Sequence, residues 1–338
     1  MTMQTGERTS GRLLGLGVVA AGLVVMVVAL VAAGGAPKPL PAGLTGAGTP
    51  VSWAVPVLRL LADVAAIATG GAVLAAAVLL PATDGKLGKQ GLRACQDAAV
   101  TAGIWAVASI GGLLTTASVI IGVPMSQLAA RAGDAGSLNQ VRALAVAVVF
   151  TAVLAVVLSA CRTVATARVA LVLTAAALTG PLLTGHGAIG GGATFWSVLA
   201  TSSLIVHVFS ATAWIGGLGS LLRYGRDHVE AVEKFSRLAL VCAIAIGTTG
   251  LLTAEIHLGG REDGWGLITQ WVTSGYGALV LAKAVAFALL VWIGWRHRRA
   301  TLPALAANQP AAFWRLAAGE LILMTVAVGL AVALSRTP

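Results

Sequence analysis

Five histidines and three cysteines are the side chains in this chain best suited to hold a transition-metal ion, and their placement is uneven. His186, His207 and His257 follow or interrupt long apolar runs, and Glu255 stands two residues before His257. Imidazole nitrogen and carboxylate oxygen both ligate copper or zinc, so three imidazoles and one carboxylate brought together would make a metal site. His228 and His297 fall among arginines, where a solvated surface role is expected. Cys95, Cys161 and Cys242 are odd in number, widely spaced and contain no CxxC pair, so neither a disulfide framework nor a zinc site is indicated. They read as free thiols that pack as small hydrophobes. The other ionisable groups set within apolar sequence are Arg59, Asp63, Lys283 and Glu320. Charges at such positions cost several kcal/mol unless partnered, so each is a structural or gating candidate. Arg59 and Asp63, four apart, share one helical face and should form a local ion pair. Lys283 should find a carboxylate or polar group on a neighbouring helix.

The elements that position these groups are dictated by composition. Of 338 residues 58% are hydrophobic and 10% charged, with a mean hydropathy of +0.92. Soluble domains carry about 25% charged residues, so this chain cannot clothe a globule in polar surface. A bilayer-spanning helix needs roughly 20 apolar residues. Runs bounded by Gly, Pro or charge fall near 13–33, 54–80, 98–121, 140–160, 166–185, 197–222, 236–258, 275–296 and 314–335. The fold class is therefore all-α, a polytopic transmembrane bundle of about nine helices. Residues 1–53 read as a transmembrane anchor and outer loop, because the first apolar run exceeds the roughly 7 to 15 residues of a signal-peptide core. Residues 54–338 read as the main helical domain. Gly111-Gly112 and Gly216-Gly217 with Gly219 offer close helix approach.

The net charge of +10 follows topology and does not indicate nucleic acid. With the N-terminus in the cytoplasm, Lys86, Lys89, Arg93, Arg162, Arg168, Arg223, Arg226, Lys234, Arg237, Arg296, Arg298, Arg299 and Arg315 all fall at cytoplasmic ends, and the opposite loops hold few basic residues. This orientation leaves the C-terminus outside the plasma membrane. It puts His186, His207, His257 and Glu255 in the outer half and all three cysteines in the inner half. Trp53, Trp196 and Trp271 then mark outer boundaries and Trp292, Trp295 and Trp314 inner ones. The chain has no GxxxxGK[ST] loop, Asp-Lys-Thr-Gly segment or CxxC head, so it displays no machinery for ATP hydrolysis.

The stretch His207-Val-Phe-Ser-Ala-Thr-Ala-Trp214-Ile-Gly216-Gly217 resembles the His, Trp and Gly-Gly pattern of the CopD family of copper-resistance and copper-import membrane proteins. Lys234-Phe235-Ser236-Arg237, Gly250, Ser274-Gly275-Tyr276-Gly277 leading to Lys283, and Arg315 to Glu320 continue the likeness. It covers roughly residues 54–335. The resemblance implies a copper-handling membrane protein that catalyses no reaction, with copper ion as cargo and His207 at a family motif position. Trp214 and Tyr276 belong to the same motifs. Glu255, His186 and His257 are added from their location. The closing Ala333-Leu-Ser-Arg-Thr-Pro338 looks like the junction at which related chains continue into a CtaG-type oxidase-assembly domain. The partners implied are the lipid bilayer, an extracytoplasmic copper donor and such an assembly domain. Two other readings stay open: a membrane haem b electron carrier with paired axial histidines, and a metal-free structural or assembly subunit.

Reporter fusions or cysteine labelling check the orientation. They should place the loops at 81–97, 223–235 and 297–312 in the cytoplasm and those at 186–196 and 259–274 outside; the inverse pattern would overturn an outer histidine site.

Overall fold

A computed structural model describes residues 3–38, 46–183, 195–226, 228–257, 271, 273–296, 299 and 310–337. The helices are α1 (Met3–Ala32), α2 (Thr49–Leu74, running into a π turn, Ala75–Leu79), α3 (Lys89–Ile121), α4 (Ala132–Ser137), α5 (Asn139–Ser159), α6 (Val164–Leu182), α7 (Phe195–Tyr224), α8 (Val229–His257), α9 (Gly275–Arg296) and α10 (Pro310–Leu334). Among the described residues eight of these are long and apolar enough to cross a membrane, and α1 adds a shorter apolar stretch over Gly17–Ala32. The expected bundle of membrane-spanning helices is thus present, with each predicted run inside or overlapping one helix. The main departures are that α1, α3 and α8 start at Met3, Lys89 and Val229, before the expected 13, 98 and 236, and that a β-hairpin and α4 occupy loops.

Two compact units divide the chain. The larger draws on residues 37–217 and 234–257. Within it α2 packs on α3, α3 on α5, α5 on α6, and α6 back on α2. The seam is built from small residues: Thr69, Gly70, Gly71 and Ala72 of α2 are all buried. Thr69 donates to the Ala65 carbonyl at 2.8 Å and shares a 2.8 Å hydrogen bond with Thr101 of α3. Thr115, Thr151 and Thr174 likewise donate to main-chain carbonyls one turn back. Each of these four hydroxyls is satisfied by its own helix, which lets it lie in an apolar interior without an orphaned donor.

The outer faces reverse the soluble pattern. Val100 and Val107 of α3, Val149 and Val156 of α5, and Val172 of α6 are 62 to 70% exposed. The seven-residue interval within α3 and within α5 lays these valines along one stripe of each helix, a surface suited to hydrocarbon and not to water.

In this unit α2 and α7 meet backbone to backbone. A Cβ placed on Gly71 would collide with the backbone carbonyl of Gly216, and one on Gly216 would collide with the Ile67 carbonyl. A Cβ at Gly70 would lie 2.7 Å from Thr212 Cγ2. Only glycine at both 71 and 216 permits this crossing, the small-residue packing common in membranes.

One end of this unit is closed by a hairpin. Ala82 pairs with Leu87 and Thr83 with Lys86 around a turn in which Asp84 and Gly85 have φ of 50° and 73°. Asp-Gly with both φ positive is the two-residue turn that matches the twist of its strands. Leu87 N donates to the Arg162 carbonyl and Val164 N to Gly85, so the hairpin fastens the α5 to α6 connection. Thr163 then caps α6, its hydroxyl accepting from Thr166 N at 3.1 Å. Lys86, Lys89, Arg93, Arg162 and Arg168 therefore gather at one end, as the charge pattern predicts.

The smaller unit holds residues 1–36, 218–233 and 258–338. Here α1 packs along α10, and α9 packs on α10. Met26 and Leu30 of α1 and Met324 of α10 are buried, and a Cβ on Gly329 would fall 2.6 Å from the Gly22 carbonyl. Arginines cover the tryptophans expected at one boundary: Arg226 over Trp314 at 5.8 Å, Arg296 over Trp292 at 5.2 Å, and Arg299 over Trp295 at 4.5 Å. Trp292 and Trp295 are half exposed, so each pair offers an apolar body and a charged tip to the headgroup region.

Replacing Gly216 by Ala should destabilise the purified protein by about 1–3 kcal/mol or more through overpacking. Gly103→Ala, where a Cβ meets nothing within 4 Å, should be neutral or slightly stabilising. Thermal unfolding in detergent compares them, and equal stability of the two variants would contradict the crossing.

Candidate site around His207

His207 lies midway along α7 and reaches α8. Its Nδ1 is 3.0 Å from the Thr249 hydroxyl, and a Cβ on Gly250 would stand 3.6 Å from the ring's Cε1. Gly250 thus leaves the face of α8 open to the imidazole. Ser203, one turn before His207, donates to the Thr249 carbonyl at 3.3 Å, a second link between the helices.

The hydroxyl orients the ring. Thr249 has one proton to give, and its Oγ1 lies 2.5 Å from the Ala245 carbonyl, the partner a helical threonine ordinarily takes. With that proton committed, Thr249 accepts, and Nδ1 of His207 is the donor. Metal-binding histidines are typically oriented this way, one nitrogen donating to a fixed acceptor while the other faces the metal. A groove of about 210 Å³ runs beside this contact, lined by Leu199, Ser202, Ser203 and Val206 of α7 and Thr248, Thr249 and Leu252 of α8. Its polar groups are hydroxyls.

The position of α7 follows from the motif that surrounds His207. Gly216 seats α7 on α2, and a Cβ at Gly217 would lie 2.8 Å from the Phe235 ring of α8. Trp214, 5% exposed, fills the same stretch. Gly216-Gly217 and Phe235 therefore belong to one packing device that holds α7 against two neighbours at once.

The other expected site residues are placed unequally. His186 lies outside the described residues, as does the side chain of His257. Glu255 is half-buried on α8, six residues beyond Thr249. That offset is about 9 Å along the axis and some 240° around it, so Glu255 leaves α8 on a different face from the one that meets His207. No group of three or more His, Cys, Asp or Glu occurs among the described residues. Nor do those residues give His207 a second imidazole for haem, since His228 stands just before α8 begins.

Arg59 and Asp63 pair as expected, Nε lying 3.1 Å from the carboxylate oxygens, on a partly exposed stretch of α2. Lys283, half-buried on α9, makes no hydrogen bond or ion pair among the described residues, so the partner expected for it is not found there. Tyr276 is half-buried near the start of α9, and Glu320 of α10 is 5% exposed. Thr249 was not anticipated from sequence. Threonines are frequent in these helices, and nothing in its spacing ties it to His207 42 positions away.

Residues 229–334, covering all of α8, α9 and α10, match the family described as copper resistance protein D, CopD. No curated protein and no solved structure matches the chain. The matched segment contains Thr249, Gly250, Glu255, Lys283 and Glu320, while His207, Trp214 and the Gly216-Gly217 pair precede it.

The His207 to Thr249 bond is testable by a double-mutant cycle with His207→Ala and Thr249→Val. The coupling should be about 0.6 kcal/mol and no more than about 1.7, the range for interhelical bonds in membranes. Additive effects would mean that the two side chains do not interact in the bilayer.

Proposed function

We propose that this chain, whose residues 229–334 match the copper resistance protein D family and whose helices are long and apolar enough to cross a membrane, takes up copper on the outer side of the plasma membrane. The copper then passes inward or goes to respiratory oxidase assembly. The observation that carries this reading is the family match lying within a chain of long apolar helices. The arrangement at His207 supports it: an imidazole of α7 held through Nδ1 by Thr249 of α8. Imidazole nitrogen is a ligand that copper accepts readily.

On this reading His207 is the inner ligand, and His186 with Glu255 and His257 form an outer receiving group supplied by an extracytoplasmic copper donor. The receiving group is proposed from sequence location alone. Lys283 and Glu320, with Trp214 and Tyr276, serve helix arrangement or gating. Arg59 and Asp63 anchor the outer end of α2. No bond in the cargo is made or broken, so the protein acts as a carrier and not as an enzyme. A CtaG-type assembly domain is the proposed recipient where copper goes to an oxidase.

His207→Ala, His186→Ala and His257→Ala variants test the reading by expression level and cellular copper accumulation. Removal of His207 should lower accumulation while folded protein remains, and removal of either outer histidine should lower it less, because water or Glu255 substitutes at a hydrated boundary. Unchanged accumulation in all three would refute the path; loss of folded protein in His207→Ala alone would reduce His207 to a packing residue.

A further inference from the structure

Cys95 and Cys161, 66 positions apart in sequence, lie with their Sγ atoms 3.1 Å from each other, and both are wholly buried. Cys95 is in the second turn of α3 and Cys161 in the short connection from α5 to α6. The β-hairpin holds that connection through Leu87 N to the Arg162 carbonyl and Val164 N to the Gly85 carbonyl. The Arg162 guanidinium donates to the carbonyl of Cys161 at 2.9 Å, which keeps a fixed positive charge beside the pair. Cys242, also buried, lies on α8.

We propose that Cys95 and Cys161 form a two-thiolate site for Cu(I), separate from His207 and at the basic end of the larger unit. The proposal rests on the copper reading above for the identity of the metal. Two converging thiols are a soft donor pair, and soft donors select Cu(I) over the hard cations that share the cytoplasm. The basic residues gathered at this end, Lys86, Lys89, Arg93, Arg162 and Arg168, put it on the cytoplasmic side under the same rule that places the histidines outside. There thiols stay reduced.

Binding converts two thiols and Cu(I) into a bis-thiolate complex of charge −1 and releases two protons to water. No electron is transferred. The Arg162 guanidinium offsets the new negative charge. With metal–sulfur bonds near the ~2.3 Å of zinc thiolates, the sulfurs must part from 3.1 Å to at most about 4.6 Å, a shift within reach of rotation about one χ1. The hairpin that borders the site consists of two-residue strands, a short and openable cover.

The test uses the full chain in lipid nanodiscs, reduced and free of oxygen, titrated with Cu(I) against a chromophoric Cu(I) chelator. Wild type and Cys242→Ser should each hold one chelator-resistant equivalent that both Cys95→Ser and Cys161→Ser lose. X-ray absorption of the copper-loaded wild type should show a two-sulfur shell and is independent of whether the variants fold. A shell of nitrogen and oxygen alone, or an equivalent retained in both single variants, overturns the site. So does a Cys95 to Cys161 disulfide that persists under the reducing conditions. Cellular copper accumulation is measured in parallel with and without the chain. Chain-dependent accumulation with no cysteine-dependent copper defeats this proposal and leaves the uptake reading standing, whereas no chain-dependent accumulation defeats the uptake reading whatever the titration gives.

Discussion

The backbone contact between Gly71 and Gly216 is the constraint on which the candidate site depends. With no Cβ on either residue, α2 and α7 meet main chain to main chain, the carbonyl of Gly216 against Gly71 and that of Ile67 against Gly216. Lipid tails are as apolar as leucine, so burial of apolar surface gives little preference for one helix pairing over another in a bilayer. Close van der Waals approach and interhelical hydrogen bonds supply the preference. The α2 to α7 crossing is the first kind of contact. His207 with Thr249 and Ser203 with the Thr249 carbonyl are the second. The crossing sets the rotation and depth of α7, and nine residues before Gly216 that setting turns His207 toward α8.

Hydroxyl chemistry gives the site its polarity without charge. Threonines throughout the larger unit return their protons to a carbonyl one turn back, which keeps them neutral to the apolar surroundings and leaves each oxygen able to accept. Thr249 uses that acceptor capacity on His207. The result is an imidazole oriented by a hydroxyl, without a carboxylate whose desolvation would be expensive at this depth.

Much of this architecture is legible in the sequence because the bilayer imposes it. Apolar runs of about 20 residues must become helices, since an unpaired backbone in hydrocarbon is too costly, and the predicted runs and the observed helices overlap throughout. The Arg59 to Asp63 pair was legible because both residues lie on one helix, where spacing fixes geometry. The Asp84-Gly85 turn carried a hairpin signal as well, but its strands of two residues are too short to register as a periodicity. The pairing of His207 with Thr249, and of Cys95 with Cys161, was not legible. These contacts join separate helices, and their register depends on which glycines meet, information that no spacing within a single run contains. The same reason explains why Glu255, grouped with His207 from sequence, leaves α8 on another face from the one that meets His207.

Ligand softness gives the two proposed copper positions an order. A neutral imidazole is a borderline donor that several divalent metals share, whereas a thiolate pair favours Cu(I) far more strongly. A cation moving through a membrane must be held well enough to enter and loosely enough to leave. Placing the borderline donor, His207, ahead of the soft pair, Cys95 and Cys161, makes each transfer run toward the stronger ligand. It also charges the tightest binding with the release of two protons, so the affinity of the inner position falls as its surroundings become more acidic. On this proposal the Cys95 and Cys161 position becomes anionic only when loaded, and it lies beside Arg162. The order of ligands along the chain's depth, and not a gate or an energy source within it, would then set the direction of copper movement.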